Sequence, residues 1–337
     1  MTLWFVVPAA VDDPAAPSGG NGYDRRVSAG LGMRDLLVPG TWPLPSEASR
    51  RALDSALGRV PDGGVVLVDG LVACGVPEVV LPHARRVRVA VLVHLPLADE
   101  VGLDAAVAAR LDAAERECLR GVAAVVATSA TAAARVAERH GLARVHSVPP
   151  GVEPAELAAG TDGVSRLLSV ASITPRKGHD VLVRALATVL DHQWVWAVVG
   201  PTPDRVHLGH VRELVSGFGD RVEWVGPVVG DPLEREYSRA DLFVLPSLAE
   251  TYGMVVTEAL ARGVPVMASA VPDALGNGGL LLPAGDVGAW SAALRRWFES
   301  AELRRELKRA ALERRAGLST WDETVAGVGA VLASLRA

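Results

Sequence analysis

Two glutamates, Glu250 and Glu258, lie in LPSLAETYGMVVTEALARGVPV (245–266), where an apolar run ends at Pro246 and a helical stretch begins near Gly253. A helix start leaves backbone N–H groups without partners, here those of Tyr252, Gly253, Met254 and Val255, and such groups bind anions. Glu258 would sit on that helix, where a carboxylate can accept hydrogen bonds from the vicinal hydroxyls of a ribose. A second segment, SVASITPRKGHD (169–180), again runs from a strand through a turn into a helix. Its Arg176 and Lys177 can neutralise a diphosphate, and Gly178 lets the backbone come close. A third, PSGGNGYDRRV (17–27), follows the first strand; Gly19, Gly20 and Gly22 permit close approach to a phosphate, but the spacing is not GxGxxG and by itself reads as a flexible loop. In a fourth, VHLPLADE (93–100), His94 closes a strand, either to meet a sugar hydroxyl or to cap a loop. Taken singly, the first two also read as surface glutamates on a helix and as exposed basic residues in a loop.

These residues need strands to aim them. Val-rich apolar runs alternate with Ala/Leu/Arg stretches of helical period, the pattern of strand–helix–strand units. The first half predicts strands at 3–8, 65–69, 87–94, 123–128 and 145–149, with helices at 23–33, 46–57, 103–119 and 130–139. The segment 149–165, rich in Pro, Gly and acidic residues, reads as a linker. Beyond it come strands at 167–171, 194–199, 222–225, 242–246 and 264–268, and helices at 178–190, 204–216 and 253–262. Residues 287–315 form a helical stretch charged in both signs, read as a solvated face rather than a membrane-binding patch. The expected organisation is a first domain over 1–150, a second over 151–318, and a closing helix in 319–337 that packs back on the first. Ligands of open parallel α/β sheets bind beyond the carboxyl ends of the strands, where all four segments fall.

A chain of 337 residues suits two cores. Half of it is hydrophobic while aromatic residues make up 4%, so the interior must be built from Ala, Val and Leu, as in helices laid on parallel strands. The net charge of −5 argues against a nucleic-acid backbone as partner. Cys74 and Cys118 are isolated from each other in sequence and read as buried thiols, and no His/Cys cluster calls for a metal. The start, MTLWFVVPAA, lacks a basic leader, and no run approaches the roughly 18 apolar residues of a membrane span, so a cytoplasmic, soluble protein is expected.

Together the four segments resemble the retaining GT-B glycosyltransferases of family four, the glycosyl transferases group 1. The likeness is strongest in the second half, where SVASITPRKGHDVLVRALA, VEWVGPVVG, ADLFVLPSLAETYGMVVTEALARGVPV and LLLPAGD follow in the family's order. It implies a GT-B architecture, two doubly wound Rossmann-like domains facing a central cleft, the first on the acceptor side and the second binding the donor. It implies transfer of a hexose-type sugar from a UDP- or GDP-sugar to an acceptor hydroxyl, with retention, without metal or cofactor. The acceptor would be a small molecule, a glycan or a lipid-linked compound.

By the same resemblance Glu250 and Glu258 form the E-x7-E motif, Glu250 at the donor sugar and Glu258 at the ribose. Lys177, helped by Arg176, would grip the diphosphate, with the helix start at 252–255. Gly19 and Gly20 would close over the donor phosphate, and His94 would contact the donor sugar. Pro149, Pro150 and Gly151 resemble the crossing into the second domain. Two features depart from the pattern. Ser172 stands where the family commonly has an arginine, and residues 267–286 are shorter than usual and lack a paired-glycine turn. A nucleotide-sugar epimerase, a sugar phosphorylase and a non-catalytic nucleotide-sugar binder share this kind of architecture and stay open at this point.

Overall fold

The structure, a computed structural model, describes residues 2–12, 18–100 and 102–336. The chain forms two compact units, 1–151 together with 319–337, and 152–318.

The first unit is built on six strands, β1 (Leu3–Pro8), β2 (Arg34–Val38), β3 (Val65–Asp69), β4 (Arg88–Val93), β5 (Ala124–Ala127) and β6 (His146–Ser147). They form one parallel sheet in the order β2-β1-β3-β4-β5-β6, with Phe5 opposite Leu67 and Val68 opposite Val91. Strand side chains alternate between faces, and here both faces are apolar. Trp4, Val6, Val66, Val68 and Val91 pack with Leu53, Leu57, Val80, Leu111 and Cys118 of the helices Glu47–Gly58, Pro77–Ala84 and Ala105–Gly121. On the other face Phe5, Val7, Leu67 and Leu92 meet Tyr23 and Val27 of the helix Gly19–Leu31, and Val328 and Leu332 of the helix Trp321–Ser334. That last helix opens with a capping box between Thr320 and Glu323, and Thr324 Oγ1 donates to the Pro149 carbonyl at 2.9 Å.

The second unit repeats the plan with β7 (Arg166–Val170), β8 (Val195–Val199), β9 (Val222–Gly226), β10 (Leu242–Leu245), β11 (Val266–Ala268) and β12 (Leu280–Leu281). The order is β12-β11-β10-β7-β8-β9, all parallel. Indoles supply much of its bulk: Trp196, Trp290 and Trp297 are fully buried.

Several local expectations are corrected. The strand β2 was not foreseen, because RDLLV opens on two charged residues and is an edge strand with Leu37 exposed. Nor were the helices Pro77–Ala84, Asp231–Ser238 and Pro272–Leu275, each of which carries a proline at its first or second position. The glycines at 19, 20 and 22 do not form a loop. They are the first turn of the helix Gly19–Leu31, which starts before Tyr23 because Ser18 caps it, accepting from the Asn21 amide at 3.0 Å. Pro17 of that segment lies outside the described residues. The helix expected over 178–190 ends at Leu186 and tightens into a 3-10 turn, Ala187–Val189. The stretch 287–315 is two helices, Val287–Glu299 and Ala301–Arg315, parted at Ser300, which ends one and caps the other. Finally, Cys74 and Cys118 are distant in sequence but neighbours in space. The Cys118 thiol beside it, together with burial, holds Cys74 well above the usual thiol range.

Candidate active site

In a doubly wound sheet the loops diverge where successive strands leave in opposite directions, and a ligand crevice opens there. The first sheet has this switch point between β1 and β3, the second between β7 and β10. Each switch point carries a cluster of charge.

In the second unit the loop after β7 ends in the 3-10 turn Pro175–Lys177, and the loop after β10 carries Ser247 and Glu250. The two loops are joined by Leu248 N–H donating to the Arg176 carbonyl at 2.8 Å. Gly178 makes that approach possible. Its φ is +64°, and a Cβ there would stand 2.2 Å from the Pro246 carbonyl oxygen. Lys177 Nζ donates to Glu250 Oε1. Arg176 Nη1 donates to the Ala249 carbonyl at 3.0 Å and to Glu250 Oε2 at 3.4 Å, and Ser247 Oγ donates to Glu250 Oε1 at 2.9 Å. Burial pushes the Glu250 carboxyl up, but Lys177 and Arg176 outweigh it, and the net shift is below the ordinary value. The cluster therefore gathers two cations around one carboxylate.

The helix Met254–Ala261 starts beside it, with Gly253 at its N-cap at φ +90°. The first bond of its ladder runs from Val256 N–H to the Gly253 carbonyl at 2.9 Å, so the amides of Met254 and Val255 precede it. Tyr252 is buried, its ring packed in the core with Val256 and Leu245, and burial pushes its hydroxyl up to about 12. Glu258 lies further along the helix, where sequence reasoning missed its partner. Buried Tyr237 donates from its hydroxyl to Glu258 Oε2 at 2.8 Å. Arg262 stacks its guanidinium 4.5 Å from the Tyr237 ring while gripping Glu234 through Nε at 3.0 Å. Burial raises the Glu258 carboxyl, with Tyr237 and Arg262 opposing. The signal available beforehand was only that Tyr237 is one of three tyrosines in the chain.

In the first unit His94 follows β4 directly, Asp69 closes β3, and Asp24 lies on the helix after β1. His94 Nε2 donates to Asp24 Oδ1 at 2.7 Å, and one potential ligand atom from each of the three residues lies within 4.8 Å of the others. Asp24 and Asp69 are buried; the His94 side chain is 20% exposed. The ring stands edge-on to Tyr23 at 5.5 Å and lies against Gly20, where a Cβ would come within 3.3 Å of its Cγ. Tyr23 is fixed by donating to the Val148 carbonyl at 3.0 Å. Burial lowers the imidazole, Asp24 and Asp69 raise it more, and it reaches about 9. Burial and the Asp24 charge lift Asp69 to about 7 against the pull of His94, while the Leu71 amide donates to its Oδ1 at 2.7 Å. The 2.7 Å contact has the length of a charge-assisted hydrogen bond. Asp24 and Asp69 were not foreseen, because Asp24 and His94 are separated by 70 positions and no local motif links them.

The architecture, two parallel six-stranded α/β units, is that of the GT-B glycosyltransferases. Three solved structures share it. Sucrose-phosphate synthase from Thermosynechococcus elongatus aligns with a TM-score of 0.79 at 21% identity, covering 99% of both chains. Anabaena HepE in complex with UDP and glucose gives 0.76 at 14%, covering 99% of this chain and 100% of its own. A glycosyltransferase from Rickettsia africae gives 0.73 at 15%, covering 99% and 98%.

Residues 164–300 match the family model described as glycosyl transferases group 1, and the second unit belongs to that family. Among curated relatives, a D-inositol 3-phosphate glycosyltransferase of Actinosynnema mirum is 34% identical over 223 residues, 58% of this chain and 52% of its own. One from Mycolicibacterium gilvum is 36% identical over 220 residues, 58% and 48%. The chain thus spans about half the length of the curated relatives it matches. Among the described residues no helix is long and apolar enough to cross a membrane.

Proposed function

We propose that the chain is a retaining glycosyltransferase that moves a hexose-type sugar from a nucleoside diphosphate sugar to an acceptor hydroxyl without a metal ion. The observation that carries this reading is the cluster at the second switch point, Lys177 and Arg176 around Glu250 beside the amides of Met254 and Val255. A diphosphate entering there meets Lys177, Arg176 and two backbone donors, and Glu258, held by Tyr237, takes the ribose diol. A UDP-sugar is the first donor to test, since the Anabaena neighbour was solved with UDP and glucose. A polyol phosphate is the first acceptor, after the names of the curated relatives.

The reaction breaks the bond between the anomeric carbon and the diphosphate oxygen, so negative charge grows on the leaving group while the sugar becomes oxocarbenium-like. Donors aimed at that growing charge supply the largest electrostatic contribution to the rate. The acceptor oxygen forms the new bond on the face the diphosphate leaves, and its proton passes to a phosphate oxygen. Glu250, kept ionised by its two cations, orients and stabilises the sugar rather than attacking it. Contact of Gly19 and Gly20 with a donor phosphate and of His94 with a donor sugar belongs to the same proposal. Incubation with UDP-glucose and a polyol phosphate, followed by proton NMR of the anomeric signal, is expected to give UDP and an α-linked product in chelator. An inverted product, a metal requirement or a trapped glycosyl-Glu250 adduct would overturn the mechanism.

A further inference from the structure

Among the described residues the groups that face His94 are few. From the helix Gly19–Leu31 come the Tyr23 ring, the Asp24 carboxylate and the bare backbone of Gly20; from the end of β3 comes Asp69. No cation other than the imidazole itself stands among them. Two buried carboxylates beside each other are costly unless positive charge or a proton is shared between them. Asp24 spends Oδ1 on His94 Nε2 at 2.7 Å, and its Oδ2 is buried without a protein hydrogen-bond partner. Among the described residues no hydrogen bond reaches His94 Nδ1, and the side chain is partly exposed.

We propose that Asp24 is a positioning residue for His94. Its buried carboxylate fixes the ring through Nε2–H and holds it as the imidazolium, so that Nδ1–H is presented as a charged donor to a ligand oxygen. Asp69 is the second carboxyl of the arrangement: lifted to about 7, it keeps its proton below that pH, and above it adds its charge to that of Asp24 in holding the imidazolium. Gly20 is required by the same packing, since a Cβ there would press on the ring at 3.3 Å. A neutral histidine offers one N–H, and here Asp24 takes it; only the charged ring has a second to give. The use of Nδ1–H on a donor sugar rests on the function proposed above, whereas the charge state of the ring does not.

The test separates the two. In donor-free protein labelled with 13C-histidine, the His94 signal, assigned by its loss in His94→Gln, is expected to titrate near pH 9. In Asp24→Asn it is expected to move down toward 6.5. The wild-type titration needs no variant, so poor folding of Asp24→Asn leaves the proposal testable. A wild-type midpoint at or below 6.5, a midpoint unchanged in Asp24→Asn, or a large shift of the signal on adding millimolar Mg2+ or Mn2+ would each overturn it. With UDP-glucose, the alkaline limb of kcat is expected to shift down by the same interval in Asp24→Asn. Absence of turnover with every nucleotide sugar, beside an unchanged NMR result, would overturn the functional reading and leave the imidazolium standing.

Discussion

The two units place opposite arrangements of charged groups at equivalent points of the same fold. At the switch point of the second sheet, two cations surround one carboxylate. At that of the first sheet, two carboxyls surround one imidazole. The first arrangement offers two cationic side chains to an anion. The second balances itself only by keeping protons, and so responds to pH where the other responds to ligand. The fold supplies the place in both cases; the charge type supplied by a few loop residues decides what is done there.

The comparison breaks most severely at Lys177. In Lys177→Ala the ammonium donor is gone, and kcat is expected to fall about 10²- to 10³-fold, as when a donor to a developing oxyanion is removed. A fall of less than threefold in steady-state turnover would move the diphosphate elsewhere. Gly178→Ala attacks the backbone beneath the same cluster. With φ at +64° and a Cβ 2.2 Å from the Pro246 carbonyl oxygen, it is expected to cost about 1–3 kcal/mol or more and to lower the melting temperature by several degrees. Tyr237→Phe sharpens the role of Glu258. Losing the 2.8 Å donor is expected to raise donor KM about tenfold, roughly 1–2 kcal/mol, with kcat little changed. A drop confined to kcat would place Glu258 at the reacting centre instead.

The mildest test is pH. His94 is raised from 6.5 to about 9 in the folded chain, so its contribution to stability is full below pH 6.5 and is lost as pH rises through about 9. Asp69, raised from 3.8 to about 7, acts in the same direction and loses its contribution as pH rises through about 7. Glu250 is lowered, so its contribution is present above 4.5 and lost on acidification below it. Buried His179, lowered from 6.5 to about 3 by desolvation and then by His207 and Lys177, adds to the second unit's sensitivity to acid below pH 6.5. Alkali should therefore loosen the first unit and acid the second. Hydrogen exchange, corrected for intrinsic rate and resolved by peptide at pH 5.5, 7.5 and 9, would expose a common response of both units and defeat the comparison.

Legibility followed locality. Lys177, Arg176, Glu250 and Glu258 could be picked out because each sits within a few residues of a strand end or helix start, where composition and order carry the signal. Asp24 and Asp69 could not, since only the folding of three strand–helix units brings them to His94. Gly19 and Gly20 misled for a different reason: glycine disfavours helix by about 1 kcal/mol each, but the Ser18 cap and the packing of Tyr23 and Val27 override that preference. The alternation of Val-rich runs with helical stretches made most strands of both sheets readable; β2 escaped because its charged opening and exposed Leu37 mark it as an edge.

The helix Trp321–Ser334 gives the molecule an order of assembly. Residues 319–337 complete the first unit, yet the ribosome delivers them only after every residue of the second. Until then the sheet face formed by Phe5, Val7, Leu67 and Leu92 lacks Val328 and Leu332, an apolar surface open to chaperones or to other nascent chains. During synthesis the second unit can mature by itself, and the first, begun earlier, finishes last.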